Sequence, residues 1–236
     1  MISYLFNEIF YRPLFNGLIF LYNTVPGHDM GVSIIILTIL IRLILWPLTS
    51  KSIKNQKVLT KIQPQIEEIK KKFKNNKEAQ AKALMGLYSE NKISPLAGFL
   101  PLVIQIPIII ALWRVFLNSL NLDLNSLYSF IPAPTSVQSI FLGLVDLSHK
   151  SVVLAILAGG LQYFQTKMIM PSVKPTGASD FSHIMSKQML YFGPILSVII
   201  FWSLPAALPL YWIVVTLLTL LQQYLNQDDR REFNKN

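Results

Sequence analysis

Apolar residues in this chain fall into long runs, separated by shorter stretches that carry most of the charge. The first run, at 31–48, reads GVSIIILTILIRLILWPL and contains one charged residue, Arg42. As a helix rising ~1.5 Å per residue it would be ~27 Å long, close to the hydrocarbon thickness of a bilayer. Four later runs resemble it, and together they predict membrane spans at 31–49, 95–118, 151–170, 188–204 and 207–224. Within 50–94 the pattern changes. Leu59, Ile62, Ile66, Ile69 and Phe73 recur in steps of three and four, the one-sided stripe of an amphipathic helix. Asn75-Asn76 interrupts the stripe and a shorter helix with Leu84, Leu87 and Tyr88 follows, which predicts an antiparallel helical hairpin. At 1–30, Ile2, Leu5, Phe6, Ile9, Phe10 and Leu14 have helical spacing and predict an interfacial amphipathic helix. Whether 14–22 dips into the membrane is left open by the pattern, and Pro26-Gly27 then breaks the chain.

Composition places these elements in a membrane. The 236 residues are 52% hydrophobic and 14% charged, too apolar for a soluble domain of this length. The expected fold is all-α: a five-transmembrane-helix bundle with a cytoplasmic helical hairpin and an N-terminal interfacial helix. Charge orients it. Eleven of the 21 Lys+Arg lie in 50–92, so this segment is expected in the cytoplasm and the N-terminus outside. The segment 119–150 becomes an outer loop whose apolar patch at 140–145 predicts short interfacial pieces. The turn-rich loop 171–187 and the tail 225–236 then lie inside. Of the 21 positive residues, 17 fall at or inside the inner boundary, the exceptions being Arg12, Arg42, Arg114 and Lys150.

Arg42 is the first candidate for function. A guanidinium ~9 Å short of the helix end costs about 2.5–3.5 kcal/mol on insertion scales, and arginine cannot shed its proton. It either faces a polar cavity or snorkels to the nearer headgroups as an anchor. The cavity is favoured by polar residues in later spans: Gln105 between Pro101 and Pro107 in the second, and Gln162, Gln165 and Thr166 in the inner half of the third. Gly159-Gly160 predicts close helix packing there, and Arg114 is expected to snorkel near the outer end of the second span.

Several chemistries find no residues. With no cysteine there is neither a disulfide nor a thiolate metal site, and His28, His149 and His183 fall in predicted loops. Neither a metal nor another cofactor is expected. No nucleotide-binding GxxxxGK[ST], GxSxG or HExxH stretch occurs, so no catalytic residue is assigned and the chain is not read as an enzyme. The chain shows no internal repeat, which disfavours an inverted-repeat transporter.

Five stretches in order resemble the YidC/Oxa/Alb family of membrane protein insertases. They are GVSIIILTILIRLILWPLTSKS, KIQPQIEEIKKKF, LYSENKISPLAGFLPLVIQIPI, LAGGLQYFQTKMIM and LPLYWIVVTLLTLLQQY. The resemblance implies five helices around a polar groove, open to cytoplasm and lipid and closed outside, in the bacterial plasma (inner) membrane. It places Arg42 at the family's groove arginine and Thr38 one turn before it, with Gln105, Gln165, Tyr211 and Trp212 at further groove positions. It implies nascent membrane proteins as clients of the groove, received through the 50–94 hairpin. The Sec translocon, the ribosome through a weak tail contact, and anionic lipids are the other expected partners; no specific nucleic acid is expected. The large periplasmic domain, the extra N-terminal span and the long basic tail of other members have no counterpart in this sequence, which matches the compact bacterial form. A solute or ion channel using the intramembrane arginine is the alternative, but it leaves the stiff hairpin without a role.

Overall fold

The computed structural model describes residues 2–94, 100–119, 126–169 and 180–233. Helix α1 (Ile2–Phe6) runs through one π-helical turn (Asn7–Tyr11) into α2 (Arg12–Thr24). Pro13 accounts for the wider turn. Its ring lacks an N–H and crowds the carbonyl four residues back, and a π turn moves that carbonyl aside. The apolar face of α2 packs on protein: Phe15, Leu18 and Ile19 are fully buried and Tyr22 nearly so. They share one core with Ile34 and Leu37 of α3 (Met30–Ile44), Leu112 and Val115 of α6 (Leu100–Ser119) and Tyr211 of α9 (Ala207–Phe233).

The apolar run 31–48 does not stay in one straight helix. Helix α3 ends at Ile44, and α4 (Trp46–Lys72) begins one residue later at an angle of 69°. Pro47, in the first turn of α4, cannot donate to the carbonyl four residues before it, so the α3 ladder stops there. Helix α4 packs on α5 (Lys77–Glu90), whose first turn is capped by the Asn76 side chain accepting from the Ala79 N–H at 3.0 Å. Ile62, Ile66 and Ile93, with Val58, Leu59, Leu84, Leu87 and Tyr88, form a second and separate small core between them.

Between α6 and the next helix, β1 (Ile140–Phe141) pairs antiparallel with β2 (Val145–Asp146). Helices α7 (Val152–Ile169) and α8 (Asp180–Ser203) follow, and a short turn at Pro205 leads into α9. Helices α7 and α8 meet at Gly159, where an added Cβ would lie 2.3 Å from the Val198 side chain and 3.0 Å from the Pro194 carbonyl; Gly160 faces open space. Part of the loop read at 171–187 lies outside the described residues, but from Asp180 on it is helical. The tail likewise continues α9 as helix to Phe233.

Among the described residues one stretch, Ala207–Leu225, is long and apolar enough to cross a membrane alone. The bent pair α3 and α4 is a second if taken as one span, and Gln105–Leu117 and Leu190–Ser203 are shorter apolar stretches. Helix α6 exposes Val103, Ile106, Ile110, Trp113 and Leu117 along one stripe, and α8 exposes Phe192, Ile195, Leu196 and Ile199 along another. Apolar surfaces this continuous face lipid or a partner rather than water.

Candidate functional site

Helix α9 organises the polar groups, because neighbouring positions on it face different helices. Tyr211 is 2% exposed, and its hydroxyl accepts from the Gln105 Nε2–H of α6 at 2.8 Å. Arg42 of α3 is half-buried and close enough to Tyr211 for the two to interact electrostatically. It has no hydrogen-bond or ion-pair partner among the described residues, and α3 carries no other charge. Thr38, one turn earlier, is 2% exposed and donates to the Ile34 carbonyl at 2.6 Å. Its proton is thus committed to its own helix, which leaves only its oxygen lone pairs for another group.

Trp212 turns the other way. Its indole N–H donates to Gln162 Oε1 of α7 at 3.1 Å, the Ser197 hydroxyl of α8 donates to the same oxygen, and the ring packs on Phe201. Gln165, three residues beyond Gln162, is half-buried with no hydrogen-bond partner among the described residues. The six residues singled out from the sequence therefore divide. Gln105 and Tyr211 meet across α6 and α9, and Arg42 of α3 lies within electrostatic range of Tyr211 with Thr38 one turn away. Gln165 stands by itself on α7, and Trp212 belongs to a separate cluster on α7 and α8. That cluster is built on Gln162, which the sequence had offered as a polar residue of the third span, and brings in Ser197, which it had not. A buried indole needs an acceptor, so a glutamine at mid-helix was the available signal.

A third polar group ties α9 to the bend. Gln222, 2% exposed, donates through Nε2 to the Trp46 carbonyl at 3.0 Å and the Ser50 hydroxyl at 2.7 Å, and lies within hydrogen-bond distance of Thr49. The paired glutamines at the end of an otherwise apolar run were its sequence signal.

A further set of polar groups ties α2 to the segment between α6 and α7. Asn16 of α2 donates to the Ser126 carbonyl and accepts from the Tyr128 N–H at 2.8 and 2.7 Å. The Tyr22 hydroxyl accepts from the Gln138 N–H at 2.8 Å, and Asn23 donates to the Pro132 carbonyl at 2.8 Å. Helix α2 thereby holds the 126–138 segment against the bundle.

No cluster of three or more His, Cys, Asp or Glu that could hold a metal occurs among the described residues. An uncompensated guanidinium within electrostatic range of a buried phenol can attract a carboxylate or an exposed peptide carbonyl. It offers no nucleophile or proton relay for covalent chemistry.

Comparison with known proteins gives concordant matches. A family model described as 60Kd inner membrane protein matches residues 20–232. A protein of Fusobacterium nucleatum subsp. nucleatum named membrane protein insertase YidC is 37% identical over 216 residues, covering 91% of this chain and 95% of the relative. Proteins of the same name from Citrifermentans bemidjiense and Syntrophus aciditrophicus are 35% and 36% identical over 92% and 90% of this chain. The chain spans only 36% and 35% of those two relatives' lengths.

Proposed function

The chain belongs to the 60Kd inner membrane protein family, with relatives named membrane protein insertase YidC, and from that premise we propose that it inserts nascent membrane proteins through an intramembrane polar groove. Arg42, Thr38, Gln105, Gln165 and Tyr211 line the groove, and Trp212 borders it. Five spans at 31–49, 95–118, 151–170, 188–204 and 207–224 enclose it, with the N-terminus outside and the C-terminus in the cytoplasm of a bacterial plasma membrane. The observation that carries this reading is Arg42: a half-buried charge on an uncharged helix, with no counter-charge among the described residues.

A charge held in apolar surroundings without a partner is costly unless water or a visiting anion meets it. A hydrated groove part-way across the bilayer shortens the apolar barrier that a client's polar tail must cross. The guanidinium draws acidic groups of that tail inward, more strongly than it would in bulk water. The client's apolar helix then leaves sideways into lipid, and this partitioning supplies the drive. The outer hydrogen bonds of Asn16, Tyr22 and Asn23 support a groove closed on that side. Beyond its first residues, which Gln222 ties to α9, the α4–α5 pair has its own small core and offers a surface for the arriving client, the Sec translocon or the ribosome, with anionic lipids at its lysines.

Complementation of an insertase-depleted strain tests the reading. Arg42→Ala is expected to accumulate in the membrane as the parent does but to fail clients with acidic translocated tails, and Arg42→Lys to retain part of the activity because it keeps a point charge without the planar fork. Full rescue of every client by Arg42→Ala would sink the electrostatic role.

A further inference from the structure

The outer β-hairpin ends in an apolar tip that the insertion mechanism does not use. Strands β1 and β2 are joined through Leu142, Gly143 and Leu144, and the Leu144 N–H donates to the Phe141 carbonyl at 2.9 Å. Leu142 and Gly143 have φ of +50° and +71°, the two left-handed residues of a type I′ turn. Asn, Asp or Gly suits the first of these positions, and a leucine there is strained. Its side chain must therefore be rewarded outside the turn. Within the protein it is not: Leu142 is 62% exposed, Leu144 84% and Ile140 53%. The stretch 140–145 contains no charged residue.

The tip is also rigidly mounted at a defined height. The Phe141 ring covers Gly31 so closely that a Cβ there would come within 2.1 Å of it. The Leu142 N–H donates to Asp29 Oδ2 at 2.7 Å, while Asp29 Oδ1 accepts from the Val32 N–H at 3.0 Å and caps α3. One carboxylate therefore fixes both the start of the apolar helix and the hairpin tip, and sets them at the same level. Where α3 enters the bilayer from outside, that level is the boundary between headgroups and acyl chains.

We propose that Ile140, Leu142 and Leu144 form an interfacial anchor seated in the outer leaflet of the bilayer around this protein. Lipid is the occupant because of this height, and because the tip carries no polar side chain to orient a protein partner. The anchor rests on the topology proposed above, with α3 entering from the outer side. It would hold the outer segment, and through Asn16, Tyr22 and Asn23 the α2 cover, at a fixed depth while clients move past below.

The natural absence of cysteine allows Leu144→Cys to carry a single spin label in the full chain. The protein is placed in nanodiscs of phosphatidylethanolamine and phosphatidylglycerol at one copy per disc. Relaxation by oxygen and by a water-soluble nickel chelate is compared with that of a label at His149→Cys, whose side chain is 81% exposed in the same segment. The expected result is a several-fold excess of oxygen over nickel relaxation at 144, reversed at 149. Equal nickel access at both positions would overturn the anchor. So would protection of 144 that appears only with several copies per disc, which would assign the tip to a second copy. A membrane-impermeant thiol reagent applied to intact cells separates the two failures. If it reaches His149→Cys from outside while 144 is water-exposed, only the anchor is lost; if it cannot reach 149 from outside, the topology fails and the anchor with it.

Discussion

Asp146 shows what a single side chain contributes to a turn between helices. It accepts from the Ser148 hydroxyl at 2.6 Å and the Ser148 N–H at 2.9 Å, and pairs with the His149 ring at 2.8 Å. The Ser148 hydroxyl foremost, then Ser139 and the Ser148 N–H, hold its carboxyl well below the usual carboxylate range. A carboxyl depressed in the folded state stabilises the fold above its ordinary pKa of about 4, and that contribution is lost as pH falls through the folded value. The turn it orders matters because the Leu147 and His149 carbonyls accept from the Ala207 and Ala206 N–H groups, holding the start of α9. Asp146→Asn is therefore expected to lower the thermal midpoint at neutral pH, with the gap to the parent narrowing below pH ~4. A gap that stays constant across a pH series of thermal scans would assign the residue's role to shape alone. Arg42 stood out in the sequence because a charge inside an apolar run is visible without any structure. Gln162 was visible as a polar residue in an apolar run, but its pairing with Trp212 and Ser197 was not, since that depends on how three helices meet.

At the scale of elements, two adjacent glycines make opposite predictions. Gly159→Ala would drive a methyl into Val198 and the Pro194 carbonyl, and because the backbone carbonyl cannot swing aside it should cost about 1–3 kcal/mol. Gly160→Ala meets nothing within 4 Å and gains helix propensity, so it should be neutral or stabilising by up to about 1 kcal/mol. Thermal scans of both variants in nanodiscs check this; equal effects would mean that α7 and α8 are not in close contact. The sequence pattern predicted that these glycines serve packing, but only the structure tells which one does. The α4–α5 pair carries its own prediction. Removing 60–88 while keeping Lys51, Lys54, Lys57 and Lys92 leaves enough positive charge inside to hold topology, and its apolar contacts are confined to its own small core. Insertion should fall strongly with topology unchanged, as read by an insertion assay alongside protease protection. A silent deletion would reduce the pair to a topology marker.

For the whole molecule the decisive question is whether water reaches the polar groups that α3, α6, α7 and α9 contribute. Cysteines placed singly at 38, 42, 105 and 165 should react with a charged thiol reagent added from the cytoplasm. Position 38 should be slowest, since Thr38 is 2% exposed while Arg42, Gln105 and Gln165 are half-buried. Protection of all four would mean a dry bundle and would end the groove mechanism for this protein. What the sequence determined by itself was local and additive: long apolar runs, one charge within the first, a basic amphipathic segment after it, and five stretches sufficient for the family. Hydrophobic length and charge asymmetry act through the solvent and need no partner to be read. The tertiary structure alone decided the burial of the α2 face as core, the Gln105–Tyr211 and Gln162–Trp212 pairings, and the mounting of the Leu142–Leu144 tip on Asp29. Each of these depends on which groups meet across distances of up to 113 residues, and pairings between remote residues leave no periodic mark on either one.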